Sequence, residues 1–245
     1  MASHESYTTV TALEGPAQRA LLANGDAVER LWAAWALAMR LAAEAAPMLV
    51  DGHADEEPTS GLRRQLVVIA AGLGEGALIR VLAQGDPNAR VRAASCQYLI
   101  VTSGSNAGEV ADFVRFCLFA DPSPVVREEI LRWSRPDIPP IAIEDLVRLA
   151  NDAAPAVRQR AVILAERRFA PDAIGTSGLL ERLDAEDERG LLIELARLAL
   201  KCNRPGRVLQ AAEVQEGERR LALLDLLVGR DLRVAWPAME TLAAL

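Results

Sequence analysis

The sequence predicts an all-α chain folded as an α-solenoid, an α–α superhelix of about six stacked antiparallel helix pairs. Three observations predict it. Apolar residues make up 51% of the 245 residues and aromatics only 4%, so the core must be built from Leu, Ala, Val and Ile; Ala and Leu favour helix and β-branched runs are scarce. One phrase, an Asp, a Pro within three residues and then Val-Arg before an apolar helix pattern, occurs three times: "DPNARVRAASCQYL" from Asp86, "DPSPVVREEILRW" from Asp121 and "DAAPAVRQRAVIL" from Asp152. Its arginines, Arg92, Arg127 and Arg158, lie 35 and then 31 residues apart, and a fixed period in this range marks an array of supersecondary units.

Each phrase reads as the start of a helix. The Asp is expected to accept hydrogen bonds from the free N–H groups of the first turn, where the helix dipole also favours it. Pro87 and Pro122 are expected in that turn, where a missing N–H costs nothing. Val91, Ala94, Ser95 and Tyr98 then form one buried stripe, repeated by Val126, Ile130 and Trp133 and by Val157, Ala161 and Leu164. A second amphipathic stretch precedes each such helix: "EGALIRVLAQG", "AGEVADFVRFCLFA", "AIEDLVRLAND", "GLLERLDAE" and "GRVLQAAEV". A lone pair of such helices cannot bury its apolar face, whereas stacked pairs can.

Along the chain, a first pair is expected over 11–45, its second helix starting near Asp26. Residues 46–61, "APMLVDGHADEEPTSG", form the longest break in pattern and read as a mobile acidic loop. A helix near 61–72 follows, then the clearest repeats over 74–170, then degenerate ones. Stepping the arginines by 31 residues reaches Arg189 and Arg220, and stepping back reaches Arg30. Residues 1–245 read as one domain.

The Asp-to-Arg spacing and the Val-Arg dipeptides resemble the HEAT-repeat family, an armadillo-type fold. "DIPPIAIEDLVRLANDAAPAVRQ" also looks like the related leucine-rich-variant repeat. In HEAT proteins the Asp and Arg of successive repeats form a ladder of ion pairs. The resemblance implies that role for Asp86, Arg92, Asp121, Arg127, Asp152 and Arg158.

Motifs for chemistry are few. "QLVVIAAGLGEGALIRVLA" places Gly72, Gly74 and Ala77 as GxGxxA after a β-branched run, with Asp86 downstream, the layout of a dinucleotide-binding turn. Glu75 would set a negative charge beside the pyrophosphate, and no alternation of strand and helix follows. The expectation is therefore a glycine turn between helices. His4 and His53 are the only histidines. Asp51, His53, Asp55, Glu56 and Glu57 crowd one loop without the fixed spacing of a ligand set, so neither a metal nor a cofactor is expected. The di-iron deoxyhypusine hydroxylases of the HEAT group would demand several His-Glu pairs and this chain has one, His4-Glu5, which excludes them; no GxSxG nucleophile occurs. Cys96, Cys117 and Cys202 lie in apolar helical contexts and read as inert core thiols of a reduced, cytoplasmic, bacterial protein.

The net charge is −7 and no third of the chain is basic. A nucleic-acid partner is therefore not expected. "LWAAWALAMRLAAEAAPMLV" is long enough to span a bilayer but carries Arg40 and Glu44, so a buried helix is expected rather than a membrane span. The reading that remains is a non-catalytic scaffold, adaptor or regulatory subunit binding a protein or peptide. Its concave face is expected to carry Arg90, Gln97, Glu128, Arg132, Gln159, Glu194 and Asp225, a row of mixed sign. Trp32 and Trp35 offer a terminal core or a hydrophobic anchor for a partner. The apolar end "WPAMETLAAL" offers a folded-back cap or a homo-oligomer contact. The alternative is a HEAT-like enzyme, resembling bilin lyases or AlkD-type DNA glycosylases; the resemblance to the former is at the level of the fold alone.

Overall fold

The computed structural model describes residues 13–45, 60–103 and 107–228. Among them every regular element is helical. Residues 46–59 of the acidic loop expected over 46–61, both histidines and the apolar C-terminal segment lie outside the described residues, while Ser60 and Gly61 are already helical. The chain divides into two compact units, 1–140 and 141–245.

The first unit holds α1 (Gly15–Asn24), α2 (Ala27–Ala45), α3 (Ser60–Leu73), α4 (Gly76–Gly85), α5 (Ala89–Thr102), α6 (Ala107–Ala120) and α7 (Pro124–Trp133). The second holds α8 (Ile143–Leu149), α9 (Pro155–Arg168), α10 (Pro171–Thr176), a 3₁₀ turn at Leu179–Asp184, α11 (Arg189–Lys201), α12 (Pro205–Val214) and α13 (Gly217–Val228). The first helix pair and the boundary near Asp26 fall where the sequence places them. Asp26 starts α2 with a reciprocal cap: its carboxylate accepts from the Glu29 N–H at 2.8 Å, and Glu29 accepts from the Asp26 N–H at 2.9 Å.

Prolines open several helices. Pro124, Pro155, Pro171 and Pro205 are the first residues of α7, α9, α10 and α12, where no N–H is needed. Pro87 and Pro122, expected in the first turn, instead stand ahead of the capping residues Asn88 and Ser123. The repeated aspartates also lie outside their helices. Asp86, Asp121 and Asp152 each accept the N–H two residues on, at 2.8–2.9 Å. This turn leaves the other carboxylate oxygen aimed elsewhere.

The glycine phrase between α3 and α4 is a helix stop. Gly74 has φ +76, and the Glu75 N–H reaches the Ala70 carbonyl at 2.9 Å, closing α3 as a Schellman turn. The β-branched run before it is helical: Leu66, Val67 and Ala70 are buried while Val68 and Ile69 face outward. The strand that a dinucleotide turn requires is therefore a helix.

Within each unit the second helices of successive pairs lie side by side. α2 meets α3, α3 meets α5, and α5 meets α7 in the first; α9 meets α11 and α11 meets α13 in the second. Their inner stripes make the core, as with Val91, Ser95 and Leu99 of α5, or Leu191, Leu195 and Leu198 of α11.

One buried charge interrupts the core of the first unit. Arg63 continues the stripe of Leu66, Val67 and Ala70 on α3, and its side chain and that of Asp86 are both 0% exposed. The guanidinium binds Asp86 in a fork, Nε to Oδ2 at 2.7 Å and Nη2 to Oδ1 at 3.0 Å. Removing one partner strands the other charge in the core. Asp86→Leu is expected to cost about 3–5 kcal/mol in urea denaturation, and Arg63→Leu combined with Asp86→Leu far less than twice that.

Candidate functional site

The repeat arginines act at two places at once. Arg92, Arg127 and Arg158 each return Nη1 to the backbone carbonyl of their own Asp, at 2.8, 2.8 and 3.1 Å. Nε and Nη2 of Arg92 then reach forward to the carboxylate of Asp121, at 2.8 and 2.9 Å. Arg158 reaches forward in the same way, to Glu186 at 3.0 and 2.7 Å, and also to Asp187 at 3.0 Å. Five donors in a planar fork allow this division of labour; a Lys ammonium could not make it.

Two members of this set escape the phrase. Arg63 supplies the guanidinium for Asp86 without belonging to a Val-Arg dipeptide; its signal is an Arg on the buried register of α3. Glu186 takes the place of a repeat Asp, accepting the Glu188 N–H at 2.9 Å as the aspartates do at their own turns. A fourth turn of this kind thus starts at Glu186, and the sixth residue on is Leu192, buried and apolar, not Arg189. Arg189 points outward and pairs with Glu218 at 3.0 Å. Where the next acid would stand the chain has Gln215, whose amide donates to the carbonyls of Leu183, Asp184 and Glu186. With Leu192 in place of the arginine, a neutral residue follows.

The Glu186 environment sets its acidity. Burial alone would raise it, but hydrogen bonds from Arg158, the Glu188 amide and Arg182 hold the carboxyl below its ordinary value. The hydrogen bond to Glu186 correspondingly raises Arg158.

The outward row divides between the units. On α5 and α7, Arg90 is exposed, Gln97 is half-buried, and Arg132 is clasped by Glu128 at 2.7 Å and Glu129 at 3.2 Å. Trp133, expected in the buried stripe, is 40% exposed, with its indole N–H given to Glu129 at 2.7 Å. Leu131 fills the inner position instead. Trp32 and Trp35, open between a terminal core and an anchor, take the core: they are 1% and 8% exposed and pack edge to face. The stripe of α2 points inward, so among the described residues the exposed tryptophan is Trp133.

In the second unit α9, α11 and α13 enclose an open groove of about 690 Å³. Val162 and Leu198 form its floor; Glu166, Lys201, Glu194 and Arg197 form its polar rim. Glu166 pairs with Lys201 at 2.9 Å, and Glu194 accepts from Gln159 at 3.1 Å. Asp225 lies in a neighbouring depression with Arg189, Glu218 and Leu221. The groove thus sets fixed charges of both signs around an apolar floor. Among the described residues no group of three or more His, Cys, Asp and Glu side chains could hold a metal ion, and no helix is long and apolar enough to cross a membrane.

Comparison of the chain with family models, with characterised proteins and with solved structures finds no match.

Because the folded protein depresses Glu186, the stability it contributes is fully present above the ordinary Glu value of about 4.3 and is lost as the pH falls through the lower folded value. Glu186→Gln is expected to lower the thermal midpoint at neutral pH, and its midpoint curve is expected to converge on that of the wild type in acid. Trp32→Ala is expected to cost about 3–5 kcal/mol, as for a buried aromatic. Trp133→Ala is expected to stay within about 1 kcal/mol of wild type; denaturant melts of both check this.

Proposed function

We propose that this chain is a non-catalytic, cytoplasmic scaffold of the HEAT-like α-solenoid type that binds a protein or peptide along the outward faces of its second helices. The observation that carries the reading is the open groove over α9, α11 and α13, with an apolar floor and a rim of opposite charges. The α5–α7 face adds an exposed aromatic, Trp133, ringed by Glu128, Glu129 and Arg132. Indole rings and arginines are over-represented among residues that dominate binding energy. The recurrence of one turn, one reaching arginine and one receiving acid supports the repeat reading. The reduced thiols Cys96, Cys117 and Cys202 fit a reducing compartment.

A pull-down of the tagged full-length protein from its own cells, with nuclease and at low salt, tests the reading. A stoichiometric protein partner is expected, lost on Arg132→Glu or Glu194→Arg while the melting curves of both variants stay near that of the wild type. Recovery of nucleic acid or a small molecule without a protein partner would overturn the scaffold reading in favour of a HEAT-like glycosylase or lyase.

A further inference from the structure

Two cysteines lie beside the Arg92–Asp121 contact. Cys96 is four residues after Arg92 on α5, and Cys117 is four residues before Asp121 at the end of α6. One helical turn separates each thiol from its charged neighbour. α5 packs on α6 and the Arg92–Asp121 fork sets their register, so one turn along α5 and one turn back along α6 bring Cys96 and Cys117 to the same joint, where each thiol shifts the acidity of the other. Cys96 is 0% exposed and Cys117 4%. Cys117 nonetheless forms part of the wall of an open pocket of about 360 Å³, with Gln84, Arg92, Phe116 and Pro122 around it. Phe116, 56% exposed, stands at that wall.

We propose that Cys96 and Cys117 form a redox-responsive pair, in which Cys117 meets a hydroperoxide through the pocket and Cys96 resolves it to a disulfide that staples α5 to α6. In the first step the Cys117 thiolate attacks one peroxide oxygen. The O–O bond breaks, the released alkoxide or hydroxide takes a proton, and Cys117 becomes a sulfenic acid. In the second step the Cys96 sulfur attacks the Cys117 sulfur. The S–O bond breaks, water leaves with the Cys96 proton, and the S–S bond forms. Two thiols lose two electrons, and the peroxide receives them.

The order of attack follows from the surroundings. The neighbouring Cys96 thiol lowers the pKa of Cys117, with the Arg92 guanidinium also acting in that direction, whereas Cys117 and burial raise that of Cys96. Cys117 is also the member that borders the pocket. Cys202, pushed up by burial, serves as the internal comparison.

The test treats the full-length protein with hydrogen peroxide, quenches, denatures, alkylates free thiols and weighs the intact chain and its peptides. The expected result is a loss of about 2 Da, one cross-linked peptide pair containing Cys96 and Cys117, and an alkylated Cys202. Cys96→Ser is expected to stop at a Cys117 sulfenic acid, trapped as its dimedone adduct; Cys117→Ser is expected to give neither product. In Asp121→Asn, oxidation is expected to restore part of the lost denaturation midpoint, because the staple spans the weakened joint. Full alkylation of Cys96 and Cys117 in the wild type, under peroxide that oxidises free glutathione, would overturn the proposal whatever the variants do. So would a disulfide that uses Cys202.

Discussion

A guanidinium can be kept among packed helices only where its donors are received, and this requirement organises both units. Arg63 at the heart of the first unit is fully enclosed, and the two oxygens of Asp86 receive its guanidinium there. Arg92 and Arg158 solve the same problem by splitting their donors between a carbonyl of their own turn and a carboxylate contributed by a later segment. The acid in turn is held by the backbone N–H two residues on. Each contact thus fixes a turn, a helix start and the neighbour's position together.

The apolar core depends on that arrangement as much as it supports it. Val91, Val126 and Val157 each precede the arginine and are 0% exposed, so the residue that seeds the stripe and the residue that leaves it are adjacent. Where the arginine is absent the polar partner changes with it. Leu192 occupies the position in the second unit, and the next segment starts at Gln215, which serves carbonyls and carries no charge. A carboxylate there would be buried without a cation, a costly state.

The surfaces left over carry the proposed binding. Helices whose inner stripes are consumed by the core present outer faces of mixed charge, and these are fixed by short ion pairs such as Glu128–Arg132 and Glu166–Lys201. Exposed pairs of this kind add little stability. They shape a surface instead, around the apolar floor of the groove and around Trp133. The thiol pair one turn from the Arg92–Asp121 contact belongs to the joint between helices rather than to these faces.

Much was legible in the residues alone. Composition and the 3.6-residue stripes determined that the chain is helical, and the Asp-to-Arg phrase located the starts of α5, α7 and α9, because hydrogen-bonding turns and proline act locally. The register of the outer repeats was not legible from arginines alone: Arg189 lies on the expected step, yet Glu186 is the residue that receives Arg158. Tertiary packing decided what periodicity leaves ambiguous. Trp133 satisfied the spacing of a buried stripe and came out 40% exposed, whereas the spacing of Trp32 left core and anchor both open and packing placed it in the core. Arg63 lies on the buried register of α3, and only the structure shows that Asp86 receives it there. Spacing says which residues share a helix face, but only the neighbouring helices determine which way that face points, and a buried charge is recognised by the partner that reaches it from 23 residues away.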